Sequence, residues 1–139
     1  MNWLRIGLAS VGAFIAYFVV GGLTFGLVPS LKSEFLKFPG VYRPLEGQMS
    51  HMPAGMVAMF VGIFSLAVLY AASYRGGSGL LEGARFGALI GVFAIGAFVV
   101  HNYVNLNIGL TITLQQAVAY FAEWVVVGVV IGLIYRTAR

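Results

Sequence analysis

The sequence predicts an all-α fold, a four-helix transmembrane bundle with a short interfacial helix in the first connecting loop, and three observations lead there. Four apolar stretches, about residues 4–28, 52–74, 80–101 and 114–136, are each near the ~20 residues that a helix rising ~1.5 Å per residue needs to cross ~30 Å of hydrocarbon. Of the 139 residues, 60% are hydrophobic and 9% charged, whereas about a quarter of a soluble domain is charged. The connections are short, the longest being about residues 29–51, so the whole chain reads as one integral membrane domain with no room for a separate catalytic or ligand-binding domain.

The first span is too long for the apolar core of a cleavable signal peptide and no small-x-small cleavage site follows it, so it reads as retained. In the next connection Ser30 is positioned to cap a short helix in which Leu31, Phe35 and Phe38 recur at helical spacing, until Pro39-Gly40 ends it. Such a piece should lie flat at the interface. Residues 41–50, with Pro44 and Gly47, read as irregular, and Pro53 suits the first turn of the second span. Residues 75–79, Arg-Gly-Gly-Ser-Gly, form a flexible turn into the third span. The last connection, residues 102–113, is rich in Asn and Thr, and Thr113-Leu114-Gln115-Gln116 matches a capping box that opens the fourth span.

Glycine predicts the packing. Lipid gives no hydrophobic push between helices, so close backbone approach depends on small residues. Gly22 and Gly26 carry the four-residue spacing in the first span, Gly83, Gly87 and Gly91 in the third, and Gly128 and Gly132 in the fourth. The third series runs on through Ala94 and Phe98 to His101 and Asn105, which with Asn102 should form a polar outer mouth.

Glu123 is the clearest functional clue, because it falls near the middle of an apolar span. An unpaired charge there costs a few kcal/mol on insertion scales (~2.5–3.5 for acidic residues), so the carboxyl should be neutral, paired or facing a polar cavity. Gln116 and Tyr120 share its helical face, while Gly128 and Gly132 fall on the opposite side, which gives the fourth helix two faces that avoid lipid. One of them is free to meet a second copy, another subunit or a solute path.

A weaker constellation lies at the far end of the helices. His51 and His101 should sit at similar depth, and Met52 and Met56 share a face beside His51. Thioethers with imidazoles suit Cu(I), and two histidines on facing helices suit haem. Methionine at helical spacing is more often core filler, so the expectation is no cofactor, with copper or haem the alternatives.

Exclusions complete the reading. Without cysteine there is no disulfide framework, thiolate metal site or cysteine nucleophile. No nucleophile–base–acid set can be assembled, so an enzyme is not expected. The net charge of +4 comes from basic residues scattered at span ends, which fits headgroups and not nucleic acid. Arg5, Arg75, Arg85, Arg136 and Arg139 share the side of the termini against Lys32, Lys37 and Arg43 opposite, so the positive-inside rule puts both termini in the cytoplasm.

Tyr42-Arg43-Pro44, Met52-Pro53-x-Gly55, residues 81–87 (Leu-Glu-Gly-Ala-Arg-Phe-Gly) and Glu123-Trp124 through Gly128-x-x-x-Gly132-Leu133-Ile134-Tyr135 resemble a broad group of small four-helix bacterial inner-membrane proteins. That resemblance implies fold and location and carries no activity. The expected function is a non-enzymatic polytopic membrane protein acting as a homo-oligomer or accessory subunit of a larger membrane assembly. A small proton- or cation-coupled transporter or channel using Glu123 is one alternative, and a metal- or haem-binding redox module at His51 and His101 is another.

Overall fold

The computed structural model describes residues 1–136, and all of the regular structure among them is helical. Arg139, counted above among the basic residues, lies outside them. Helix α1 (Trp3–Leu27) starts at Asn2, whose side chain accepts a hydrogen bond from the Arg5 N–H at 3.1 Å. Helix α2 (Pro29–Leu36) is the short piece expected in the first connection, but it begins at Pro29 with no side-chain cap. Proline's fixed φ suits a first helical turn, so Ser30 lies inside α2 and is not its cap.

Helix α3 (Leu45–Ser73) starts about two turns before the apolar run, directly after Pro44, and Pro53 therefore falls in its interior and not in its first turn. Hydropathy marks the stretch that lies in lipid, not the polar turns that continue the helix beyond it, and residues 45–51 read as loop for that reason. Gly76, with φ +86°, makes the turn into α4 (Gly79–Ala94), and the Ser78 hydroxyl accepts from the Leu81 N–H at its start. The third span does not end at Ala94. It continues through a π-helical segment, Ile95–Val100, into α5 (His101–Asn105). Helix α6 (Leu110–Tyr135) begins after Gly109, so Thr113 is already within it and its hydroxyl donates to the Gly109 carbonyl at 2.9 Å in place of the expected capping box.

Four helical stretches, Trp3–Leu27, Glu46–Ser73, Gly79–Asn105 and Leu110–Tyr135, are long and apolar enough to cross a bilayer, which makes this a multi-pass membrane protein. Their outward apolar side chains, among them Leu8, Ile15, Leu69, Leu89 and Val118, face lipid. The start of α1 and the end of α6 meet at one end, where the Arg5 guanidinium donates to the Arg136 carbonyl.

The bundle is all-α and four-helical, and it is open along one side. α1 packs between α3 and α6, and α6 packs between α1 and α4. α3 and α4, consecutive in the chain, make no comparable contact among the described residues. The core occupies the half nearer the termini, where Ile6, Ala13, Ile63, Ala67, Val127 and Ile131 are fully buried. Tyr70, Tyr74, Phe86 and Tyr135 close that end with edge and stacked ring contacts at 5.3–6.1 Å.

Glycine is used as expected in one place and not in another. Along α4 and α6, a Cβ on Gly79, Gly83 or Gly87 would collide with the backbone of Gly132, Gly128 or Trp124, so the helices touch main chain to main chain. Gly22 and Gly26 in α1, by contrast, are exposed with nothing within 4 Å of a built Cβ. Small residues that α1 does bury include Ala9, Ser10 and Ala13, and Gly12 lies against Ile134 of α6. The π segment also changes the third span's register. Ala94 is buried, Phe98 is 55% exposed, and the next buried residue is Val99 at 1%. One wide turn has moved the inward face on by one position, which removes Phe98, His101 and Asn105 from the glycine face on which an unbroken helix would have put them.

Candidate functional site

Midway along α6, Glu123 is 6% exposed and faces α1. Room for it comes from Gly21, because a Cβ there would stand 3.2 Å from Glu123 Oε1. Around the carboxyl, the Tyr17 hydroxyl faces it from α1 and Tyr120 flanks it on its own helix. The Tyr17 ring leans on the Trp124 indole at a centroid distance of 5.6 Å, which fixes the hydroxyl's position. Oε2 is buried and meets no hydrogen-bond partner among the described residues. An unmet carboxyl oxygen in such surroundings is costly, by ~1–3 kcal/mol or more for a group that can carry charge.

A cavity of about 100 Å³ adjoins this carboxyl on the side of α2, bounded by Gly21, Thr24 and Phe25 of α1, Leu31 and Phe35 of α2, and Gln116, Ala119, Tyr120 and Glu123 of α6. It can hold several waters, since ~10–15 Å³ is enough for one. Helix α2 roofs it. Gln115 Nε2 donates to Ser30 Oγ at 3.2 Å, and Gln116 Nε2 donates to the Tyr42 hydroxyl at 3.2 Å. Phe35 sits between Phe25 and Tyr42, at ring centroid distances of 5.8 and 4.5 Å.

The polar set expected on α6, Glu123, Tyr120 and Gln116, thus lines one cavity. Sequence reasoning missed Gly21, Tyr17, Thr24 and Tyr42, which lie on other segments of the chain. Gly21 had a weak signal as a glycine one residue from a spacing pair, but its use is to seat a carboxyl and not a helix.

The far-end constellation is looser. His51 is exposed, and its Nδ1 lies 2.8 Å from the Gly47 carbonyl and 3.0 Å from Ser50 Oγ, so it is engaged with its own helical turn. Met52 and Met56 are exposed, as are His101, Asn102 and Asn105, and the Asn105 amide donates back to the His101 carbonyl at 2.8 Å. Among the described residues no cluster of three or more His, Asp or Glu could hold a metal ion. The expected polar mouth is therefore a set of outward side chains, of which Asn102 alone lines a larger feature.

That feature is the groove left where α3 and α4 part. It measures about 780 Å³ and runs between Gly55, Ala58, Met59 and Gly62 of α3 and Phe93, Ala94 and Phe98 of the third span, with Asn102 at its outer end. Tyr17, Tyr120 and Trp124 form its floor. Residues 48–58 of α3 are exposed throughout, and nothing lies within 4 Å of a Cβ on Gly55 or Gly62. Tyr120 walls both the groove and the Glu123 cavity.

Comparison with family models, curated proteins and solved structures finds no match to this chain.

Proposed function

We propose that this is a non-enzymatic subunit of a larger membrane assembly, in which a helix from outside the chain, belonging to a second copy or another subunit, completes the open bundle. The observation that carries this reading is the groove between α3 and α4. Glycine in a membrane helix is useful where another backbone approaches. On α4 and α6 that use is met within the chain, whereas Gly55, Ala58 and Gly62 line a groove that no part of the described chain fills. The fourth helix supplies no such surface, since its glycine face is taken by α4 and its Glu123 face by α1 and α2.

The same reading puts the protein in a bacterial inner membrane with its termini in the cytoplasm. Arg5, Arg75, Arg85 and Arg136 at the terminal end against Lys32, Lys37 and Arg43 at the other support that orientation.

The chain lacks cysteine, so a single introduced one reports without background. Gly55→Cys or Gly62→Cys, tested in native membranes with an oxidant and with a short cysteine-reactive photo-crosslinker, should yield an adduct of twice the chain mass or an adduct with another polypeptide. The lipid-facing Val118→Cys serves as control. Lipid adducts alone from both groove positions, with a particle in native lipid that weighs as one chain, would overturn the reading.

A further inference from the structure

We infer that the Glu123 carboxyl is a protonation site served from the side of the membrane opposite the termini, through the water-sized cavity beneath α2. This does not depend on what fills the α3–α4 groove.

The four acidic residues differ in their surroundings. Glu34 pairs with Lys37, Glu82 accepts the Gly77 N–H at 3.0 Å, and Glu46 is exposed in the first turn of α3. Glu123 is buried, with one oxygen unmet and no Lys, Arg or His lining its cavity. A carboxylate without a countercharge at that depth is strongly disfavoured, and taking up a proton neutralises it. The groups facing it from each packed element are few. Tyr17 faces it from α1 and Tyr120 from α6, while α2 contributes only Leu31 and Phe35. Tyr42, in the connection after α2, reaches the cavity only through Gln116.

Geometry sets the side of access. Gly21 lies six residues before the end of α1, or ~9 Å along the axis, and the cavity spans that distance toward α2 with Thr24, Tyr120 and Gln116 supplying polar atoms. In the other direction the bundle closes on Val127, Ile131, Ile6 and Ala13, all essentially without exposure. The cavity is therefore blind, which makes Glu123 a site that loads and unloads from one side and not a station in a continuous pore. The roof can move, because an eight-residue helix has little stability of its own and a single side-chain hydrogen bond, Gln115 to Ser30, ties it to α6, the Gln116–Tyr42 bond holding the connection that follows. The chemistry is acid–base exchange: hydronium gives a proton to Oε2 and becomes water, and the reverse step returns it.

The test is infrared difference spectroscopy on the full chain, reconstituted in vesicles of known orientation and stepped in pH on one side at a time. One protonated-carboxyl C=O band should follow the pH on the α2 side only and be lost in Glu123→Gln. Glu123→Asp, should the glutamine variant not fold, should shift the band without removing it. Gln116→Leu, which takes polar atoms out of the access path, should slow its hydrogen–deuterium exchange. A band that follows pH on the terminal side, one that ignores pH on both sides, or one that sodium displaces at constant pH would each overturn the inference, the last in favour of a metal-cation site.

Discussion

Two interhelical surfaces of this bundle use the same residue to opposite ends. Between α4 and α6, every glycine of the two spacing series faces the partner helix, and at all of them but Gly91, which meets the Phe121 ring, the backbones lie so close that a methyl group would strike main-chain atoms. Between α3 and the third span, Gly55 and Gly62 face open space across a groove of about 780 Å³. The same residue type thus gives a closed seam in one place and an open one in the other. The difference lies in what stands opposite. α6 presents Gly128 and Gly132 back to α4, whereas the third span turns Phe93 and Phe98 toward α3. Bulky rings prevent the close approach that α3's small residues allow.

The largest effect should come from the closed seam. In Gly83→Leu the side chain meets the Gly128 carbonyl and Val129 Cα, which cannot yield as a side-chain tip can. Denaturant titration in detergent should show a loss at or beyond the ~3 kcal/mol typical of severe overpacking. An unchanged midpoint would mean that α4 and α6 do not pack as described. The register at the π segment comes next. Val99→Ala removes two buried methyl equivalents and should cost ~1–2 kcal/mol, while Phe98→Ala, at a largely exposed ring, should cost less despite deleting more atoms. The reverse order would restore the unbroken helix.

Smaller still is Gly21→Ala. Its methyl would press on Glu123 Oε1 from 3.2 Å, so the carboxyl must shift by a few tenths of an ångström, with under ~1 kcal/mol lost and a displaced carboxyl band as the readout. At the open seam, Gly62→Leu should leave unfolding of the isolated chain within ~0.5 kcal/mol, because nothing stands within 4 Å of a Cβ there and the side chain enters the groove. It should nonetheless abolish the adducts formed by Gly55→Cys. A monomer as damaged by Gly62→Leu as by Gly83→Leu would erase the distinction between the seams.

How much of this could be read in advance follows from what each signal measures. Apolar length located the four spans, because the energy of leaving water depends on composition alone. It could not locate the start of α3, whose first two turns are polar and yet helical. Ser30 and Thr113 looked like caps, but Pro29 and Gly109 precede them and set the helix starts earlier. The glycine pairs were visible as spacing, but spacing does not say whether a partner stands opposite, and Gly22 and Gly26 face open space. Nothing in Ile95-Gly-Ala-Phe-Val-Val announces a π turn. Packing of that segment against α6 accompanies it. Glu123, Tyr120 and Gln116 were readable as one face of one helix. Gly21 and Tyr17 were not, since they come to the carboxyl from a distant point of the chain, nor was Tyr42, which meets Gln116 from the first connection.

The meeting of Arg5 with the Arg136 carbonyl has a bearing on biogenesis. α6 is the neighbour of both α1 and α4, and of the four described spans it leaves the ribosome last. Until then α1 has α3 and the short α2 beside it, and the glycine face of α4 lies bare in lipid or against whatever holds nascent helices. Of the four described spans, the first made finds its larger partner last, and without α6 the spans keep the α1–α3 packing and the Tyr70–Phe86 contact of α3 with α4.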